Sequence, residues 1–286
     1  MSVPSDDIAL PLGRARSGCA RYGAAMTLYN AGRLSPQALE IYRTCSLLDA
    51  ADPAPMLAAL NLEPARIAEL TAEMAIRALL AEADRYLATL QSPGVAEARQ
   101  GLNCWSQGKV TAKPAANTVV DAHLPAALTQ IATTRPDLAA CIADAAPHLH
   151  WITYDLYDPA QIGAVFPKNH AFAALLGADG AIPAQDFDLG LFLIAPHVLY
   201  RDHHHLAPEL YATLTGPHGW RFGPNRPLVI KPAHVPVWND PDRPHLTKVG
   251  PTPFLALFAW TADVNAAAQV IPATDWPALE ALRLDP

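Results

Sequence analysis

The chain has 286 residues, 51% of them apolar and 16% charged, enough for one large folded domain or two modest ones and too apolar for a disordered polymer. A net charge of −7 without any Lys/Arg cluster argues against nucleic acid or an anionic membrane surface as a partner. No run of about 18 apolar residues is long enough to span a bilayer, and residues 1–7 lack the basic and apolar regions of a secretory signal, so a cytoplasmic protein is expected.

Residues 1 to about 33 are mixed, with Gly13, Gly18, Gly23 and Gly32 expected to break up any long element. Ser35-Pro36 reads as an N-cap followed by proline at the first helical position, and Leu39, Tyr42 and Leu48 fall near helical spacing before Pro53. A longer, Ala-rich amphipathic pattern starts near Glu63-Pro64, carries Ile67, Leu70, Met74, Leu79, Tyr86 and Leu90, and stops at Ser92-Pro93-Gly94. Residues 93–117 are turn-rich and read as a linker. Helical pattern resumes over 118–145, interrupted at Arg135-Pro136.

The character changes after Pro147. Short β-prone runs at 151–154, 189–194, 228–230 and 254–260 are bounded by Pro, Gly and Asp, which suits an antiparallel sandwich or barrel. The expected class is α+β: a helical region over 1–147 packed on a β-barrel over 148–286. Cys19, Cys45, Cys104 and Cys141 are scattered, without a C-x-x-C pair, and read as free thiols.

The chemistry concentrates between residues 200 and 216. His203, His205 and Glu209 have the spacing H-x-H-x3-E, with Gly216 after six intervening residues, and two imidazoles plus a carboxylate suit a divalent metal such as zinc, iron, manganese or nickel. Strand alternation places His203, His205, Glu209 and Tyr211 on one side and His204 on the other, provided the turn near Pro208 keeps the count. The fourth ligand should be a downstream histidine. His245, close to the entry of the 254–260 strand, suits this better than His234, which follows Pro232 in an expected turn. His197, His204 and His218 are expected around the site or in solvent. Tyr200 and Tyr211 bracket the cluster as ionisable phenols.

The H-x-H-x3-E-x6-G pattern with a distant histidine resembles the metal-binding motifs of the cupin superfamily, whose fold is a double-stranded β-helix. The longer string Tyr200, His203, His205, Ala207, Glu209, Tyr211, Gly216 and Trp220, with Pro244-His245 and Trp260 downstream, resembles the dimethylsulfoniopropionate (DMSP) lyases and their relatives. The resemblance covers roughly residues 148–265 and departs from the pattern at the second cupin motif, where Pro232-Ala233-His234 stands in place of P-x-G. It implies His203, His205, Glu209 and His245 as metal ligands, Tyr211 as the catalytic tyrosine and Tyr200 as an assisting one.

The implied reaction is β-elimination of DMSP to dimethyl sulfide and acrylate, with a substrate carrying a carboxylate and a sulfonium. Aromatic faces tolerate such a cation. The candidates are Tyr154, Phe166, Trp220, Phe222 and Trp238, while Trp260, inside an apolar strand, is expected in the core. Other readings of the same ligand set are a cupin isomerase or dioxygenase, and a non-catalytic metal-containing binding protein. The apolar faces of the helical region must be buried, whether over the barrel mouth or in a homodimer contact.

Overall fold

Alternation along three strands organises the molecule. The computed structural model describes residues 8, 10, 12–30, 33–62, 64–154 and 157–284, without the side chains of 64–71 and 159. Among them, the helices α1 (Ser17–Asn30), α2 (Pro36–Cys45), α3 (Ala54–Ala58), α4 (Pro64–Leu87), α5 (Val95–Trp105), α6 (Thr118–Ala132) and α7 (Pro136–Ala145) precede the sheets. A short α8 (Pro159–Ile162) leads into the strands β1 (His170–Gly177), β2 (Ile182–Pro183), β3 (Asp188–Ile194), β4 (Leu199–His204) and β5 (Glu209–Thr213). The strands β6 (His218–Arg221), β7 (Val229–Lys231), β8 (Val237–Asn239), β9 (His245–Lys248), β10 (Phe254–Trp260) and β11 (Gln269–Val270) follow, and α9 (Trp276–Ala281) comes last. None of the described helices is long and apolar enough to cross a membrane.

The strands form two sheets. One runs β2-β1-β3-β10-β5-β8 and the other β11-β4-β9-β6-β7, antiparallel throughout except for the β1–β2 pair. In the first sheet the odd residues of β3 and β10 (Leu189, Leu191, Leu193, Leu255, Leu257) join a core with α4 to α7. Even residues such as Phe192, Phe254 and Ala256 belong to a second cluster between the two sheets. Both faces of this sheet are covered, which is why β3 and β10 read as nearly continuous apolar runs.

The helices supply the outer cover. Buried Ile76, Leu79, Leu80, Ala83, Tyr86 and Leu87 form one stripe along α4 at three- and four-residue spacing. Helix α6 lies against β1, β3 and β10, its N-terminus capped by the Asn117 side chain accepting from Val119 N at 2.9 Å. Ser35 caps α2 by accepting from Ala38 N at 3.2 Å. A third cluster, including Leu28, Tyr42 and Leu57, joins α1, α2 and α3.

Several local expectations are corrected. Helix α1 runs through Gly18 and Gly23; Gly18 lies where α1 approaches the end of α2, and a Cβ there would stand 3.0 Å from Ser46 O. The segment read as a linker over 93–117 contains α5. It starts at Gly94 with φ +80°, and Gly101 makes room for the Phe187 ring, which a Cβ would meet at 2.2 Å. Helix α2 ends at Cys45, leaving Leu48 exposed. Glu63, expected at the start of α4, lies outside the described residues. The 151–154 run contributes only an isolated bridge, Ile152 to Phe172, and its partner β1 was not anticipated because AFAALLG has no period-two polarity.

Leu191 is fully buried between sheet and helices. Leu191→Ala is expected to lower unfolding free energy by about 2–5 kcal/mol, the usual range for such a cavity. Urea titration of wild type and variant measures it.

Candidate active site

The two sheets bring the predicted ligands together from opposite directions. His203 in β4 pairs directly with His245 in β9, while Glu209 opens β5 in the facing sheet. His205, just past β4, turns back towards Glu209. All four are buried, at 1% exposure for His203, 4% for His205, 2% for Glu209 and 0% for His245. The imidazole nitrogens of the three histidines come within 4.8 Å of one another, and Glu209 Oε2 is 3.4 Å from both His205 Nε2 and His245 Nε2.

Main-chain carbonyls settle which nitrogen is free. Each Nδ1–H has a backbone acceptor: Arg201 O at 2.8 Å from His203, Ala207 O at 2.8 Å from His205, and Arg243 O at 2.9 Å from His245. Each Nε2 is buried without a hydrogen bond. The contacts to Glu209, although within ion-pair range, lack the directionality of hydrogen bonds. Three convergent nitrogen lone pairs, oriented by Nδ1–H···O=C bonds and joined by a carboxylate oxygen, are a donor set that could hold a divalent transition metal.

Glu209 is positioned by two donors that sequence inspection missed in this role. Asn239 Nδ2 donates to Oε2 at 3.0 Å and Trp260 Nε1 donates to Oε1 at 2.8 Å. Trp260 was expected in the core. It instead lines the cavity and packs beside the His205 ring, with centroids 4.6 Å apart. The cause is register: Trp260 pairs with Glu209 on one side and Asp188 on the other, and directly paired residues share a face.

His234, the alternative ligand, points elsewhere. Its Nδ1 lies 3.1 Å from Tyr86 Oη and its Nε2 2.8 Å from Thr134 Oγ1, which ties it to the helices. His204 faces away from the cluster and meets Asp242 Oδ1 at 3.2 Å. His218 is buried, accepts from Gly250 N and sits 3.1 Å from Thr215 Oγ1; burial pulls it down to about 3, so it is neutral. His197 adopts φ +65° outside the site.

Beside the cluster lies a cavity of about 200 Å³. Tyr200 and Tyr211 both line it, although strict alternation would separate Tyr200 from His203. A register irregularity between Tyr200 and His203 removes the conflict and lets both face inward, their rings stacked at 3.9 Å. Tyr157, which the sequence reading passed over, also lines the cavity, and its hydroxyl is 2.5 Å from that of Tyr200. The Tyr154-x2-Tyr157 spacing was the available signal. Of the proposed cation-tolerant aromatics, Tyr154 and Phe166 line the cavity. Trp220 packs behind Tyr211, Phe222 lies under Arg243, and Trp238 faces the helices, crowding Gly94.

The electrostatics carry the mark of dense burial. Burial, then His245 and His205, hold His203 well below the ordinary imidazole value. Burial raises Glu209, but His205 and His245 outweigh it and hold the carboxyl well below its usual range. The Tyr211 phenol is pushed well up by burial and by the Glu209 charge, and the Tyr200 phenol by burial, Tyr157 and Tyr211.

A family model described as dimethylsulfoniopropionate lyase matches residues 98–256, more than half of the chain and including His203, His205, Glu209 and His245. This chain belongs to the dimethylsulfoniopropionate lyase family. One curated relative, dimethylsulfoniopropionate lyase DddQ of Ruegeria pomeroyi, is 26% identical over 111 residues, covering 39% of this chain and 55% of DddQ, so the match spans about half the relative's length. Among solved structures, one chain described under the DMSP lyases RdDddP and RnDddQII aligns at TM-score 0.55 and 19% identity, over 70% of this chain and all of that one. The DddQ structure from Ruegeria pomeroyi DSS-3 aligns at 0.50 and 22% identity, over 68% and 95%. These likenesses show a fold shared with the DMSP lyase structures, here two facing, mainly antiparallel sheets with helices packed on one of them.

His205→Ala and His245→Ala are expected to lose bound divalent metal after dialysis, while His234→Ala retains the wild-type content, read by elemental analysis per protomer. Trp260→Phe, which removes one donor to Glu209, should weaken metal affinity by about 10–100-fold; competition with a chromogenic chelator measures it.

Proposed function

We propose that this protein is a metal-dependent carbon–sulfur lyase that cleaves DMSP to dimethyl sulfide and acrylate. The observation that carries the reading is one wall of the cavity: Tyr211 stands two residues along β5 from Glu209, on the same face, and lines the cavity together with Glu209 and His205, whose Nε2 is free of hydrogen bonds. Family membership points to the same reaction.

A divalent cation held by His203, His205, Glu209 and His245 would supply positive charge to the substrate carboxylate and make a neighbouring phenol easier to ionise. The chain's own residues do the rest. Tyr211, as phenolate, takes the proton from the carbon next to the carboxylate. The electron pair of that C–H bond forms the carbon–carbon double bond, and the C–S pair leaves with sulfur as neutral dimethyl sulfide. The phenol then returns its proton to solvent. Burial and Glu209 oppose ionisation of Tyr211 on their own, so the base depends on the charge of the loaded site.

Tyr200 is the assisting group. Its hydroxyl shares a short hydrogen bond with Tyr157, which fixes the rotamer of both rings and gives Tyr200 a proton partner other than Tyr211. The cavity wall is mainly aromatic, including Phe172, Phe192, Phe258 and Trp260, which suits a sulfonium with methyl groups better than a polyhydroxylated sugar. This lining weighs against the isomerase reading.

Metal-loaded wild type incubated with DMSP is expected to release dimethyl sulfide into the headspace, measured by gas chromatography; no release overturns the proposed activity. Tyr211→Phe should lower kcat/KM by about 10²–10⁴-fold, the usual contribution of a positioned base. Tyr200→Phe should lower it less.

The pH profile supplies a separate check. A base must be deprotonated to act, so kcat/KM should fall as pH drops through its apparent pKa and level off above it. That acid limb should vanish from the residual activity of Tyr211→Phe.

A further inference from the structure

The proposed reaction assigns the substrate carboxylate to the histidine cluster and leaves the cationic end without a named partner. The register of the first sheet supplies one. Asp188 pairs with Trp260, Trp260 with Glu209, and Glu209 with Asn239, so four side chains on adjacent strands project from one face in a row. With strands about 4.8 Å apart, the Asp188 backbone stands roughly 10 Å from that of Glu209, with the Trp260 indole between them. Asp188 lines the same cavity, alongside Phe172 and Phe258.

Two further features set Asp188 apart. Its carboxylate has no side-chain hydrogen bond or ion pair among the described residues, in contrast to Glu209, which has two donors. It occupies space that the chain leaves open: a Cβ on Gly177 would stand 2.1 Å from Asp188 Oδ1. Burial, then Asp179 and Asp186, raise its carboxyl to about 6, as expected for an anion lacking a counter-charge.

We propose that Asp188 binds the sulfonium of the substrate, so that the cavity recognises a small zwitterion by its two ends, carboxylate towards the histidines and cation between Asp188 and the Trp260 and Phe258 rings. This assignment rests on the DMSP reading above. The arrangement fixes orientation as well as affinity, because a reversed substrate would set its carboxylate against Asp188. It also has a kinetic consequence. The sulfonium loses its charge as the C–S bond breaks, so Asp188 stabilises the bound substrate more than the transition state. It is a specificity-determining residue, and its removal should cost binding without slowing the bound complex.

The test compares DMSP with 4-methylpentanoate, its carbon isostere with an uncharged isopropyl end in place of the sulfonium, on zinc-reconstituted wild type and Asp188→Asn. The expected result is a KM for DMSP raised about tenfold or more in Asp188→Asn, with kcat unchanged or higher and the inhibition constant of 4-methylpentanoate within twofold of wild type. A parallel loss for both ligands would mark a merely structural role and overturn the proposal, as would an unchanged KM. Calorimetric titration with trimethylsulfonium keeps the question separate from catalysis. If wild type releases no dimethyl sulfide, the activity falls, yet weaker trimethylsulfonium binding in Asp188→Asn still supports the cation site and equal binding overturns it.

Discussion

The pairing of β3, β10 and β5 in a single register is the constraint on which the rest of the molecule depends. Odd residues of β3 and β10 face the helices and even residues face the cavity. A slip of one residue would turn Trp260 and Phe258 towards α6 and drive Leu255 and Leu257 into the cavity. Two apolar surfaces hold the register at once, one against the helices and one against the opposing sheet. The helical part of the chain is therefore needed by the barrel: α4 to α7 cover a sheet face that would otherwise expose a row of leucines.

The second sheet solves a different problem. It must bring Tyr200 and His203 to the same side although they lie three residues apart on one strand. The irregularity between them achieves this and turns Asp202 outward, where it meets the buried guanidinium of Arg221 and accepts from Trp276 Nε1 at 2.8 Å. Arg221 also pairs with Asp275, so the C-terminal segment is held across β4. β11 then bonds to the edge of β4 at His203 and His204, and Ile271 N donates to Asp202 O at 2.8 Å. Breaking such a buried pair leaves an uncompensated charge, typically at a cost of about 3–5 kcal/mol. The strand that carries His203 and leads into His205 is thus fixed from both sides.

Electrostatic tension inside the site fits the proposed chemistry. Three imidazoles, a carboxylate and three phenols are buried together. Burial and mutual interaction hold His203 low, Glu209 low and the tyrosines high. A bound divalent cation is the one addition that favours every state the reaction asks for, namely neutral imidazoles, an ionised carboxylate and an accessible phenolate. The cavity extends away from this centre along Trp260 to Asp188, so the proposed metal site and the proposed sulfonium site lie at opposite ends of it.

The spacing H-x-H-x3-E and the flanking tyrosines were legible in the sequence because they sit within twelve residues, on two consecutive strands and the short connection between them, where spacing alone constrains geometry. The long amphipathic helix and the strand at 254–260 were legible for the same reason, through local periodicity. What the sequence left undecided depends on register and packing between distant segments. His245 and His234 lie eleven residues apart with similar local chemistry, and only the pairing of β9 with β4 separates them. Trp260 reads as core in an apolar strand and becomes a cavity wall because its neighbours across the sheet are Glu209 and Asp188. Gly18 and Gly101 look like breaks and are instead close contacts inside helices, since a glycine costs a helix only about 1 kcal/mol and tight packing can offset that. The sequence by itself determined most of the donor set of the candidate site, because donor types and their short-range spacing are local properties. Tertiary structure decided which distant residues complete the site, because cross-strand register is set by burying two faces of a sheet at once, and no local pattern encodes that.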